Sequence, residues 1–237
     1  METILSNDKL TITKDRQLYE LEFKYPAYEI INSLLKTRII RDGITDDSYK
    51  TIKFKATSVK TLEQYQVYHN KKYGKTNFMI HEVAHMIRTL SNQLDYLLSN
   101  ENSTILGYSP KEIIVIDDEK FAFLGSELVA NIDPEGSEMA MISCPFPKDA
   151  FFSPEMLMIK EIPSYVHFKT SYFSFACLII YVLEASNEFY KNYLDEGYNQ
   201  EKLLEPLNNH PIKETKIYWI ICRCLKDDPS ERSLIYI

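Results

Sequence analysis

The sequence predicts an α+β protein in which a small strand-rich unit, residues 1–56, precedes a larger and mainly helical one, residues 57–237. Three observations carry that prediction. Residues 10–13 and 18–23 alternate side chains with the period of a strand. Ile80, Val83, Ala84, Ile87, Leu90, Leu94 and Leu97 fall on one face of a helix of about 20 residues. Residues 170–185 are apolar on nearly every side, the pattern of a helix buried within a helical unit.

The remaining elements follow in order. The polar quartet Lys14-Asp15-Arg16-Gln17 joins the first two strands. Residues 28–39 carry Ile30, Ile31, Leu34 and Leu35 at helical spacing just after Pro26, which marks a helix start. Residues 51–56 read as another strand. Beyond the long helix, Ser109-Pro110 leads into two strands, residues 113–116 and 120–124, with Asp117-Asp118-Glu119 as their hairpin turn. An amphipathic helix over residues 217–225 ends at Asp227-Asp228-Pro229. No internal repeat or low-complexity linker divides the chain.

Composition narrows the functional classes. The chain has 237 residues, 45% of them apolar, enough to fill a real core and to exclude overall disorder. A net charge of −7 argues against nucleic acid as the partner. Cys222 and Cys224 stand two apart on a helix and point about 200° from one another, poor geometry for a shared metal or a disulfide. There is no Cys-x-x-Cys pair, and the longest apolar stretch, near residues 175–183, is too short to span a bilayer. A reducing, cytoplasmic setting without a membrane partner is the expectation.

Three sites in the second half resemble the protein kinase family. Ser153-Pro154-Glu155 is similar to the Ala-Pro-Glu that ends a kinase activation segment. Residues 224–232, Cys-Leu-Lys-Asp-Asp-Pro-Ser-Glu-Arg, look like the stretch whose arginine pairs with that glutamate. Residues 169–176 resemble the start of the kinase central helix. The likeness covers roughly residues 10–237 and is strongest after Thr89. It implies a two-lobed, kinase-like fold with a minimal strand-rich N-lobe and a helical C-lobe. It also implies an ion pair between Glu155 and Arg232, since a carboxylate and a guanidinium can clamp distant segments through a bidentate, charge-assisted contact. The overall look is similar to the short kinase-like proteins of large DNA viruses.

The same alignment leaves out the parts that phosphoryl transfer needs. The first glycine is Gly43, beyond the place of a phosphate-wrapping loop. In the strand that resembles the kinase third strand, Glu22 takes the lysine's place, where a carboxylate would repel phosphate. Ile105-Leu106-Gly107 replaces His-Arg-Asp, so Gly107 supplies no general base. Glu112 stands for the metal-binding asparagine, and Phe123-Leu124-Gly125 for Asp-Phe-Gly. The resemblance therefore implies a pseudokinase: no catalytic residue, no cofactor, weak ATP binding or none, and another protein as the partner. An alternative is unconventional kinase activity with Asp117, Asp118 or Glu112 as metal ligands.

One motif points elsewhere. His81-Glu82-Val83-Ala84-His85 fits the H-E-x-x-H pattern of zinc hydrolases, with histidines one helical turn apart and Glu82 as general base. Glu101 is a candidate third ligand. Against this, His81, His85, Arg88, Asn92 and Asp95 also make an ordinary polar face opposite the apolar stripe, and five histidines allow such a match by chance.

Overall fold

The computed structural model describes residues 2–133, 137–184, 187–196 and 200–234. It is a mixed α+β structure that begins with a five-stranded antiparallel sheet. The strands are β1 (Glu2–Ser6), β2 (Leu10–Asp15), β3 (Leu18–Phe23), β4 (Ile44–Thr45) and β5 (Thr51–Lys55), in the order β1-β2-β3-β5-β4. The polar quartet contracts to a tight Arg16-Gln17 turn, with Arg16 in the left-handed region at φ 59°. Between β3 and β4 runs α1 (Tyr28–Lys36). It stops short of the predicted residue 39 because Arg38 turns left-handed at φ 59°, and Ile39 and Ile40 are then buried in non-helical backbone.

Next come β6 (Val59–Thr61) and α2 (Leu62–Tyr73), a helix the apolar pattern does not announce. Its ends are nonetheless written in the sequence. Thr61 and Gln64 form a reciprocal capping box, and Gly74 closes the last turn in the left-handed region at φ 69°. Then follows α3 (Ile80–Asn100), which buries Val83, Ile87, Leu90, Leu94 and Leu97 of the predicted stripe, whereas Ala84 is half-buried and Ile80, in the first turn, is exposed. His81, His85, Arg88, Asn92 and Asp95 line its exposed side.

Short strands follow: β7 (Ser103–Ile105), β8 (Gly107–Tyr108), β9 (Ile113–Ile116), β10 (Lys120–Phe123), β11 (Val129–Asn131), β12 (Met139–Ile142) and β13 (Phe151–Phe152). Helix α4 (Pro154–Leu157) and strand β14 (Ser164–His167) lead to α5 (Thr170–Glu184), α6 (Asn187–Glu196), α7 (Gln200–Leu204) and α8 (Lys216–Cys224). The β9–β10 hairpin turns at Asp117-Asp118 as predicted and adds β6 to form a three-stranded sheet; β11 pairs with β7, β13 with β8, and β14 with β12.

Helix α5 is buried on all sides from Phe173 to Leu183, each large apolar side chain worth roughly 1.5–3 kcal/mol of burial; Ala185 lies outside the described residues. One continuous apolar core runs from Leu10 to Leu225, so residues 1–56 are packed into the rest of the chain. The buried Gln93 of α3 shows how tightly. Its amide accepts from Phe123 N (2.9 Å) and donates to Phe123 O (2.9 Å) and Ser33 Oγ (3.0 Å), tying α1, α3 and β10 together.

All four cysteines are free. Burial pushes the Cys224 thiol up to about 12, so it is unreactive. No described helix is long and apolar enough to cross a membrane.

Candidate functional site

Glu112 and Gly125 lie close to one another, and Glu112 is reached by the loop between β1 and β2. That loop is shaped by Asn7 rather than by glycine. The Asn7 side chain accepts from Lys9 N (2.9 Å) and Leu10 N (2.8 Å), a local turn that competes with strand and presents Lys9. The Lys9 ammonium then reaches Glu112 Oε1 at 2.9 Å, across 103 positions of sequence, and makes an ion pair with Glu127 as well. The Glu112 side chain is 6% exposed and that of Lys9 25%.

Local structure fixes both carboxylates. Glu112 ends a single 3₁₀ turn entered through Ser109 and Pro110, and its backbone carbonyl accepts from Leu124 N at 2.9 Å. Glu127 sits in a second 3₁₀ turn, Ser126–Leu128, directly after Gly125. A Cβ on Gly125 would lie 2.6 Å from the Phe123 ring and 3.3 Å from Glu112 Cγ, so the glycine is needed for close packing. Burial raises the Glu112 carboxyl above its ordinary range, with Lys9 opposing that shift. Burial also pulls the Lys9 ammonium down, but its bonds to Glu127 and Glu112 outweigh this and raise it overall. The cluster is therefore a charged lysine held by two glutamates, one of them desolvated.

Gly107 is fully buried where β8 meets β13. A Cβ there would stand 2.6 Å from the Phe152 ring and 3.0 Å from Phe151 O. Any side chain there would force the Phe152 ring to shift. The neighbouring Tyr108 N donates to Ser174 Oγ of α5 at 2.5 Å, and Ser174 donates in turn to Phe151 O, so the central helix fixes both strands.

Glu22 stands elsewhere than the sequence suggests. It lies on the exposed face of β3, while Leu21 and Phe23 face inward. Side chains alternate along a strand, so a shift of one residue exchanges the faces. The inward positions here are apolar, and no carboxylate points beneath the sheet from this strand.

Glu155 and Arg232 meet as expected. Arg232 donates to Glu155 Oε1 at 2.5 Å and Oε2 at 2.9 Å, a bidentate pair with the arginine side chain fully buried. Its remaining donors reach Lys226 O (2.7 Å), Asp227 O (3.1 Å) and Lys169 O (3.4 Å), and its guanidinium lies 5.1 Å from the Phe173 ring centre. One side chain thus joins α4, the start of α5 and the segment after α8.

The other carboxylates do not assemble a metal site. Asp117 accepts from Thr57 N (2.7 Å), Thr57 Oγ1 (2.6 Å) and Ser58 N (3.2 Å), which together hold its carboxyl below the usual range despite partial burial. Asp118 pairs with Lys60 at 2.5 Å. Both stand at the far end of β9 from Glu112, roughly 16 Å away at the rise of a strand.

The H-E-x-x-H residues His81, Glu82 and His85 line one cavity together, but the glutamate is spoken for. His81 and His85 are exposed beside a cavity of about 340 Å³, but Glu82 is 8% exposed and already engaged. It caps the start of α3 by accepting from Met79 N (2.8 Å), and it accepts from Tyr65 OH (2.8 Å). His69 Nε2 lies 2.9 Å from its other oxygen, off the hydrogen-bond axis, while Nδ1 faces Lys75 O at 2.8 Å. Glu101 cannot join the histidines. It closes the opposite end of the same helix, about 24 Å beyond His85, and accepts from Tyr96 OH at 2.9 Å. Among the described residues no group of three or more His, Cys, Asp or Glu side chains is placed to hold a metal.

Lys9 and Glu127 are the residues that sequence reasoning missed. No family model matches the sequence, and no curated protein matches it.

Proposed function

We propose that this chain is a kinase-like, two-lobed domain without phosphoryl-transfer chemistry, serving as a protein-binding module. The observation that carries this reading is the Lys9 ammonium between Glu112 and Glu127. In a working kinase the aligned ground holds metal ions and the phosphates they bridge. Here one lysine of the chain itself supplies the positive charge beside these carboxylates. The tight packing at Gly107 supports the same reading, because a general base there would force the Phe152 ring to shift. The Glu155–Arg232 clamp supports the kinase-like frame of the second lobe.

The test is transfer from radiolabelled ATP with magnesium or manganese, to the chain itself and to generic protein substrates. The expected result is no incorporation above that of Lys9→Ala or a heat-denatured control. Stoichiometric, time-dependent labelling would refute the reading.

A further inference from the structure

If the floor beneath the first sheet is closed, binding must use another surface, and β14 offers one. Its register with β12 fixes which backbone groups are free. Phe168 N donates to Glu138 O at 2.9 Å, and His167 stands opposite Met139. The hydrogen-bonded pairs are therefore Val166 with Ala140 and Ser164 with Ile142. The N–H and C=O groups of Tyr165 and His167 point the other way. They have no backbone partner among the described residues, whereas the outer side of β12 is covered, with Met139 O accepting from Asp133 N at 2.8 Å.

A groove of about 810 Å³ lies against this open strand, lined by Met158, Ile159, Pro163, Tyr165 and Val166 among others. Of the exposed apolar side chains, Met158 and Tyr165 line it, and Leu157, Ile162 and Met141 neighbour its lining residues in sequence or strand register. Met158 is 74% exposed, Tyr165 54%, and Leu157, Met141 and Ile162 each more than 40%. Such a concentration on one face, rich in adaptable methionine, is the chemistry of a contact surface. The groove's acidic lining comes from Glu161 and from Asp228, whose Oδ1 also accepts from Ser230 N (2.8 Å) and Oγ (2.7 Å), against Lys160 as the other full charge, because Glu155 is neutralised by Arg232.

We infer that this groove takes a short extended peptide segment of a partner protein, which adds as a strand to the open edge of β14. The unpaired groups of Tyr165 and His167 select a strand rather than a helix, since a helix has spent its own backbone bonds. The occupant carries apolar residues at alternate positions, to meet Met158 and Tyr165, and a lysine or arginine near one end to meet Glu161 or Asp228. Because β14 has four residues, the added strand is short and the contact modest in affinity. Pro163, just before β14, limits how far the pairing extends.

This proposal rests on the reading of the chain as a protein-binding module. It is tested with a display library of random linear ten-residue peptides selected on the full chain. The result expected is enrichment of peptides with alternating apolar residues and a basic end. Their affinity should fall at least tenfold with Met158→Asp and with Tyr165→Ala, and they should slow amide exchange at Tyr165 and His167. Both side chains are surface-exposed, so the variants should fold; a circular dichroism melt verifies it. No enrichment above background overturns the proposal. So do binders indifferent to Met158→Asp, or binders that leave the Tyr165 and His167 amides unprotected. Phosphate transfer to an enriched peptide would instead sink the non-catalytic reading and leave the groove standing.

Discussion

The floor beneath the β1–β2 loop and the outer edge of β14 are built in opposite ways. At the first, charge meets charge inside the fold: Lys9 is spent on Glu112 and Glu127. At the second, backbone groups of Tyr165 and His167 have no backbone partner among the described residues, beside side chains that a self-contained protein has reason to bury. The contrast teaches where to look for function. A site that satisfies itself has little left to offer a ligand, whereas an unsatisfied edge has bonds to give.

The predictions test how deep that contrast goes. The largest effect belongs to Gly107→Asp, which forces a charged side chain against the Phe152 ring. We expect a loss of more than about 4 kcal/mol in urea denaturation. A folded variant of ordinary stability would show that the packing where β8 meets β13 has slack. Next comes Glu155→Ala, which strands the buried Arg232 guanidinium and should cost about 3–5 kcal/mol by the same measurement.

Lys9→Ala is smaller, about 1–3 kcal/mol, because it leaves Glu112 buried without its cation. Its sign with pH is a sharper check than its size. The Glu112 carboxyl is already raised in the folded state, so folding favours its protonated form, and this group's contribution improves as pH falls through that raised value toward the ordinary carboxylate range. Without Lys9 the rise is greater, so the variant should regain part of its lost stability in mild acid. Unchanged or lower stability there would show that the ion pair is not what Lys9 provides. Smallest is Met158→Asp, which should alter stability by no more than about 0.5 kcal/mol, since the side chain is already in solvent. A large loss would mean that the groove is held for folding rather than for binding.

Much of this was legible from local pattern. The stripe of α3, the apolar girth of α5 and the hairpin at Asp117-Asp118 each follow from side chains close in sequence. The Glu155–Arg232 clamp was legible too, because recognisable segments flank both partners. Lys9 was not. Beside Asn7 and Asp8 it reads as one more lysine of a solvated turn, and nothing local announces a carboxylate 103 positions away. Glu22 illustrates a different limit, because strand periodicity gives two faces without saying which is inward. Glu82 shows a third: the H-E-x-x-H spacing is right, but the glutamate is turned toward Tyr65 and the helix cap. Helix α2 was simply overlooked, although Thr61, Gln64 and Gly74 mark both its ends.

The most direct test of the closed floor is calorimetric titration of the wild-type chain with ATP in the presence of magnesium, with Lys9→Ala titrated alongside. The proposed reading predicts no saturable heat from the wild type. Stoichiometric, magnesium-dependent binding to the wild type would contradict the proposed reading, in which Lys9 takes the place of metal and phosphates between Glu112 and Glu127.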